Sequence, residues 1–515
     1  MRKIICYLLT ISLVLTSCSV YKKSTATDDG RITINLIQIN DVYEIAPLNS
    51  GREGGIARVS ALKKNYVQKN PNTLLVLAGD FLSPSVYNSL KHQGESIKGK
   101  QMVASLNAAG LDLAIFGNHE FDIREKELQQ RINESGFQWI ASNTFHKKGD
   151  KVLPFEKTTG GSATASFPKV LIRSFSDADG TTARIGFIAL TLPFNKAPYV
   201  HYEDALESAR KLCNQVKDSV DAIVALTHQS MDEDEILAAE IPAISLILGG
   251  HEHDGRYKRY SSTLITKSPA NARAAYVLSL QVNKRARMVK TAAKLEALDE
   301  HAPLDSATNA VVQQWVSIAN NSYAALGFDP GMTVISDMEP LDGRESEVRS
   351  HPTNLGKLII NAMMHAAPAC DVAIMNTGSI RVDDILQMPV SQYDILRTLP
   401  YGGSIRELEM KGSLLIQVLD AGEINRGTGG YLIYNDALRY DADNKIWKLS
   451  NTPVDPLRSY RVAITDFLLT GGEANLGFLV PGNKDIIKLF DAESSMTDPR
   501  SDIRKAVIKY LQQKK

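Results

Sequence analysis

Five apolar runs of strand length, each ending in a side chain able to hold a metal ion, constrain this chain more than any other feature. They read "INLIQIND", "TLLVLAGD", "LDLAIFGNHE", "AIVALTHQ" and "ISLILGGHEHD", and they end in Asp41, in Asp80, in Asn118 with His119, in His228, and in His251 with His253. Apolar runs separated by helical or loop sequence imply strands buried on both faces, and therefore an α/β fold. Between the first two runs, Ile56, Val59, Leu62 and Tyr66 make one face of a helix. Ligands of open α/β sheets lie beyond the carboxyl ends of the strands, so these polar ends are expected to converge. One strand-end Asp or His often does no more than close a turn. Four of the chain's ten histidines fall at these few positions, however, and five such ends together favour one shared site.

The donor chemistry narrows the site further. Two carboxylates, an amide oxygen and three or four imidazoles suit zinc, manganese, iron or cobalt better than calcium. The set exceeds what one tetrahedral ion needs and contains no cysteine, which excludes a structural zinc knot. Two divalent cations roughly 3.5–4 Å apart, bridged by a carboxylate, would use it, and such pairs hydrolyse phosphate esters.

In order and spacing, Asp41, Asp80, "GNHE", His228 and "GHEH" resemble the motifs of the calcineurin-like metallophosphoesterases, D-x-H, GD, GNHE, H and GHxH. The resemblance implies a four-layer α/β/β/α sandwich. It puts Asp41 and His253 on a first metal, Asn118, His228 and His251 on a second, and Asp80 between them, with His119 as the catalytic histidine paired with Asp122. Asp122 can equally cap the helix of "DIREKELQQRI". The chain departs from the pattern at Tyr43, which stands where the family has a metal-binding histidine. A neutral phenol, with a pKa of about 10, is a poorer ligand than imidazole, and Tyr43 is open to reading as a weak ligand, as a hydrogen-bond donor to a ligand or as a packing residue.

Downstream, "SATNAVVQQWVSIANNSYAALG" reads as a connecting helix with Val311, Trp315 and Ile318 on one side. A second helical pattern starts in "TNLGKLIINAMMHA", with Thr353 as N-cap and Leu355, Leu358, Ile359 and Ala362 inward, and leads into a strand, "CDVAIMNTGSIR". With "LPYGG" and "YRVAITDFLLTGGE", this half resembles the C-terminal domain of the 5′-nucleotidase family. It implies a second α/β (α+β) nucleotide-binding domain in which Tyr401 and Phe467 sandwich a base, Glu473 meets the ribose, and Arg349, Asn376 and Arg381 hold phosphate and sugar. A base stacked on an aromatic ring gains roughly 1–3 kcal/mol, largely whatever its identity, and the planar fork of arginine suits phosphate. Core packing is the other reading of the two aromatics. Thr377, Thr465 and Pro352 depart from the family pattern and leave base and sugar preference open.

The N-terminus has the layout of an export signal: Arg2 and Lys3, an apolar run from Ile4 to Leu15, then small residues before Cys18. The run is short for a membrane span. "LTSC" resembles a bacterial lipobox, which implies lipidation of Cys18 and an anchor in the cell envelope; an uncleaved anchor or a plain signal with a chance cysteine is the alternative. The expected organisation is a signal over 1–17, a polar linker over 18–30, a metallophosphoesterase domain over 31–305, a connecting helix over 306–335 and a substrate-binding domain over 336–515. Cys213 and Cys370 make no disulfide framework and are expected to be buried as small apolar residues. The stretch from Phe145 through "TTGGSATASF" is expected to be a loop or β-excursion without chemistry. Fifty-eight basic against 58 acidic residues give no support for nucleic-acid binding. The resemblance thus implies an exported hydrolase of nucleoside 5′-monophosphates, with nucleotide sugars and 2′,3′-cyclic nucleotides as further candidates, acting as a monomer or homodimer. A phosphatase for a non-nucleotide ester and a surface binding protein without catalysis are the competing readings.

Overall fold

The computed structural model describes residues 28–160, 163–194, 196–493 and 495–514; the expected signal and Cys18 lie outside the described residues. The strands that position the site are β1 (Arg31–Ile39), β2 (Thr73–Leu77), β3 (Leu113–Ala114) and β4 (Gln138–Trp139), then β5 (Val170–Ser176), β6 (Thr182–Thr191), β7 (Ala222–His228), β8 (Ile244–Gly250), β9 (Arg256–Tyr260) and β10 (Thr263–Lys267), then β11 (Ala274–Asn283) and β12 (Met288–Ala297). They form two six-stranded sheets, ordered β12-β11-β1-β2-β3-β4 and β5-β6-β7-β8-β10-β9. The pairs β1/β2, β2/β3 and β3/β4 are parallel in the first sheet, and β6/β7, β7/β8 and β8/β10 in the second. The carboxyl ends of these strands therefore share an edge in each sheet.

The residue order along each strand explains the layering. Alternate side chains point to opposite faces, so Leu36, Val76, Val224 and Leu246 interdigitate between the two sheets. Ile37, Leu75 and Leu77 pack outward against Ile56 and Val59 of the helix Ile56–Lys69 and Met102 and Val103 of the helix Lys100–Ala109. Ile223, Ala225 and Ile247 do the same on the other side, against Ala209 and Leu212 and against Leu237. The result is the four-layer α/β/β/α sandwich expected from the motifs. One polar crossing ties the sheets beneath the site: Gln38 donates from Nε2 to the carbonyls of Gly249 (2.8 Å) and Thr266 (2.9 Å) and accepts at Oε1 from the Thr266 hydroxyl (2.6 Å).

The connecting helix spans Ser306–Ala325, is capped by Asp305, and buries Val312, Trp315, Ala319 and Tyr323. The following residues turn into a short strand, Thr333–Ile335. Thr353 caps the helix Asn354–Ala366 as expected, accepting from the Gly356 amide at 3.2 Å, and Leu355, Leu358, Ile359 and Ala362 are buried. That helix packs on a five-stranded mixed sheet made of β13 (Val372–Asn376), β14 (Ile405–Lys411), β15 (Leu432–Tyr434), β16 (Ser459–Thr465) and β17 (Ile486–Leu489), ordered β15-β13-β16-β14-β17. Cys213 and Cys370 are free and buried. The stretch after Phe145 is a β-excursion pinned by Phe155 and Phe167, which pack against Phe116. Among the described residues, no helix is long and apolar enough to cross a membrane.

Candidate metal centre and substrate cleft

All five strand ends meet. Asp41 and Asp80 are 0% and 1% exposed, and His228 is fully buried; each offers a ligand atom within 4.8 Å of the others. His228 Nε2 lies 3.1 Å from Asp80 Oδ2, 3.2 Å from Asn118 Oδ1 and 3.9 Å from Asp41 Oδ1. His253 Nε2 lies 3.3 Å from Asp41 Oδ1. The His251 ring stands 5.5 Å from that of His228. Asp41, Asp80, His251 and His253 all have positive φ, at 52°, 57°, 90° and 58°. Non-glycine residues adopt that backbone at a cost, which is tolerated where the surroundings over-determine the conformation and tends to mark functional sites.

The surroundings do over-determine it. Asn40 donates to Asp41 Oδ2 (2.8 Å) and to the Ser268 carbonyl (2.7 Å), while the His251 amide donates to the same Asp41 oxygen at 3.0 Å. His228 Nδ1 is held by the Ala78 carbonyl at 2.8 Å, which aims Nε2 into the centre. A Cβ at Gly250 would sit 2.4 Å from that carbonyl oxygen, so only glycine lets β8 pass here. Glu120 is the largest contribution that the sequence reading left without a role. Its buried carboxylate accepts from the amides of Gly117 (2.6 Å), Asp80 (2.9 Å), Phe81 (2.8 Å) and Leu82 (3.0 Å) and clamps the loop that carries Asp80.

The electrostatics fit a cation. Asp41 Oδ1 is buried without a hydrogen-bond donor, and two adjacent buried carboxylates are costly unless positive charge compensates them. Burial works against charge on His228, yet Asp80 and Asp41 outweigh it and raise its pKa to about 9. Burial followed by the His228 charge lowers His251 to about 4. The Tyr43 hydroxyl is inside the centre, 3.2 Å from Asp80 Oδ2 and 2.9 Å from His253 Nε2; burial, then Asp80, pushes its pKa well up. Its ring is 6% exposed, so of the three readings of Tyr43 the contacts favour hydrogen bonding to ligands over packing alone.

His119 stands at the cleft wall with Nδ1 2.8 Å from Asp122 Oδ2. Burial disfavours its charge, but Asp122 and Asp80 prevail and raise its pKa to about 9. The adjoining helix begins at Glu125 with Arg124 as its N-cap, and Asp122 pairs with His119 and accepts from the Ser83 hydroxyl at 3.1 Å.

The second domain closes the opposite wall. A cleft of about 1100 Å³ is lined by Asp80, Asn118, His119 and His253 on one side and by Arg349 and Asp383 on the other. The Arg381 guanidinium reaches from the second domain to Asp122 Oδ2 (3.4 Å) and His119 Nδ1 (3.5 Å), and its Nε is buried without an acceptor. Arg381 also borders a second hollow of about 650 Å³ shared with Tyr401. Tyr401 is 63% and Phe467 44% exposed, which rules out core packing for either ring. Their loops are tied together by Asp466, which accepts from the Ser404 amide at 2.8 Å. Asn376 is buried and donates to Glu473 at 2.8 Å. Asn376, Phe467 and Glu473 line neither of these two hollows.

Comparison with known proteins agrees with this layout. Residues 34–255 match the calcineurin-like phosphoesterases, and residues 332–478 match the 5′-nucleotidase C-terminal domain. The human 5′-nucleotidase is 24% identical over 474 residues, covering 82% of this chain and 78% of its own. A venom 5′-nucleotidase of Gloydius brevicauda is 22% identical over 506 residues, covering 86% and 82%. The crystal structure of a 5′-nucleotidase precursor from Thermus thermophilus superposes with a TM-score of 0.67 at 20% identity, covering 94% of this chain and 97% of that one. A sulfate thiohydrolase from the same organism has the same fold, with a TM-score of 0.62 at 16% identity over 93% and 94% of the two chains.

Proposed function

Because the chain belongs to the 5′-nucleotidase-like metallophosphoesterases, we propose that it is an exported hydrolase that releases phosphate from nucleoside 5′-monophosphates with the help of two divalent metal ions. Asp41 and His253 would hold one ion, Asn118, His228 and His251 the other, and Asp80 would serve both. Zinc, manganese, iron and cobalt match these donors. Such an ion pair, when bound, neutralises phosphoryl oxygens and activates water for attack on phosphorus.

The chain's own residues supply the rest. His119, oriented by Asp122, protonates the leaving ribose oxygen or stabilises the charge that develops there. Arg381 and Arg349 bind the phosphate and fix its direction. Tyr401 and Phe467 present their exposed rings to the base, and Glu473, positioned by Asn376, accepts from sugar hydroxyls. The observation that carries the reading is Arg381, a second-domain cation placed within 3.5 Å of both members of the His119–Asp122 pair with one buried donor still free of an acceptor. Export and a lipid anchor at Cys18 belong to the same proposal and rest on the N-terminal sequence.

The test is phosphate release from AMP by the mature chain, stripped of metal and then supplied with manganese, zinc or cobalt, beside Asp80→Ala. Metal-dependent release that vanishes in the variant supports the reading; no release with any metal or nucleotide overturns it. Since Phe467 and Glu473 line neither hollow, a small non-nucleotide phosphate ester is the second reading. It requires Phe467→Ala to leave activity intact.

A further inference from the structure

The three site histidines with a paired Nδ1 share one construction, and one of them borrows its partner from the other domain. His228 presents Nδ1 to the Ala78 carbonyl (2.8 Å) and His119 presents Nδ1 to Asp122 (2.8 Å), both within the first domain. His253 presents Nδ1 to Asp383, 2.9 Å from its carboxylate Oδ2 and 3.4 Å from its carbonyl oxygen. Asp383 follows Arg381 in the second domain, 130 positions along the chain. The opposite nitrogen, His253 Nε2, faces Asp41 Oδ1 at 3.3 Å.

Asp383 is itself built in. Its Oδ1 accepts from the Glu345 amide at 2.5 Å, and its backbone has a positive φ of 39°. The carboxylate thus has one oxygen fixed within its own domain and one directed across the cleft. An Nδ1–H donated to a fixed carboxylate leaves the Nε2 lone pair free, sets the ring plane and raises the ligand's basicity, which is how partners behind metal-bound histidines act.

We propose that Asp383 is a positioning residue for the first metal ion, reaching across the domain boundary to hold His253 in its ligating orientation. Occupation of that metal position is then coupled to the juxtaposition of the two domains, whereas the position formed by Asn118, His228 and His251 is complete within the first. The inference rests on the reading of His253 as a ligand given above.

The experiment is a manganese titration of the metal-stripped mature protein, followed by electron paramagnetic resonance of the free ion. Wild type is expected to bind two ions. Asp383→Ala should keep one and bind the other about 10–100-fold more weakly. Asp383→Asn, which retains an acceptor oxygen, should recover most of that loss. Asp384→Asn removes the neighbouring carboxylate, which pairs with Arg273 and Arg397, without touching His253, and should weaken the first position much less than Asp383→Ala does. In a His253→Ala background, Asp383→Ala should have no further effect, a non-additivity that general loosening or misfolding would not produce. Two wild-type affinities in Asp383→Ala would overturn the proposal, as would an equal loss in Asp384→Asn. A wild type that binds no manganese would instead overturn the metal reading of the site, and this inference with it.

Discussion

The two walls of the cleft are made in opposite ways. The metal wall consists of strand ends buried to within 1% exposure at Asp41, Asp80 and His228, and nearly every polar atom there has a fixed partner from the backbone or from Asn40 and Glu120. The opposite wall comes from the second domain through Arg349 and Asp383, and beyond it the rings of Tyr401 and Phe467 stand on loops, mostly or half in solvent. The first wall is preorganised and the second adaptable. Reacting groups must be held within a fraction of an ångström, whereas residues on exposed loops tolerate movement.

Substitutions should therefore separate the walls by which constant they change. His119→Ala removes the acid at the reacting centre, and kcat should fall by about 10²–10⁴-fold with two manganese ions still bound and KM for AMP little altered. A comparable loss in KM would move His119 to the binding wall. Glu120→Gln acts one step behind the metals. A glutamine offers one acceptor oxygen where the carboxylate offers two to four amides, so at least one buried N–H loses its partner at about 1–3 kcal/mol. Urea unfolding should show that loss, and activity should fall with it because the Asp80 loop is released.

How much of this was legible in sequence follows the same division. The metal wall was readable because each donor ends an apolar run, so a local pattern predicts both the strand and the position of its last residue; Asp41, Asp80, Asn118, His228, His251 and His253 all lie where that pattern places them. The role of Glu120 was hidden inside its own motif, since only the packed loops bring four amides to it. Asp122 showed the ambiguity of a local signal, because an acid before a helix reads equally as a cap. The contacts of Asp383 with His253, and of Glu44 with Tyr393, join residues more than a hundred positions apart, and no periodicity encodes such pairs. The exposure of Tyr401 and Phe467 was not given by their neighbours in sequence, since a single aromatic beside a turn or a short apolar run reads the same in a core and on a binding loop.

The seam between the walls supplies a pH test. Glu44 accepts from the Tyr393 hydroxyl across the domains. Burial raises its pKa from 4.5 to about 7, against the opposing pull of Tyr393 and Arg397. A carboxyl whose folded pKa lies above its unfolded value stabilises the fold below the unfolded value and loses that contribution as pH rises through the folded one. Wild-type stability should thus decline from pH 5 to pH 8 by about 1–3 kcal/mol from this group. Glu44→Gln, neutral throughout, should flatten that slope and be the more stable of the two at pH 8. Parallel urea-unfolding curves for the two proteins across the range would refute the assignment.

The smallest effect is the one that most sharpens the comparison. Phe467 is 44% exposed, so truncation to alanine removes little packing and should leave the unfolding midpoint within error of wild type. If the ring stacks on a base, the loss is about 1–2 kcal/mol of binding, a rise in KM for AMP of roughly tenfold. Because stacking is nearly the same in ground and transition states, kcat should stay unchanged. Base identity should matter little, so AMP, GMP, CMP and UMP should lose affinity together. A small ester without a base, such as para-nitrophenyl phosphate, should be hydrolysed by Phe467→Ala as well as by wild type. Equal loss with the baseless ester would mean that Phe467 supports the reacting wall, and no loss with any nucleotide would remove the base from the site and leave the non-nucleotide ester as the substrate class.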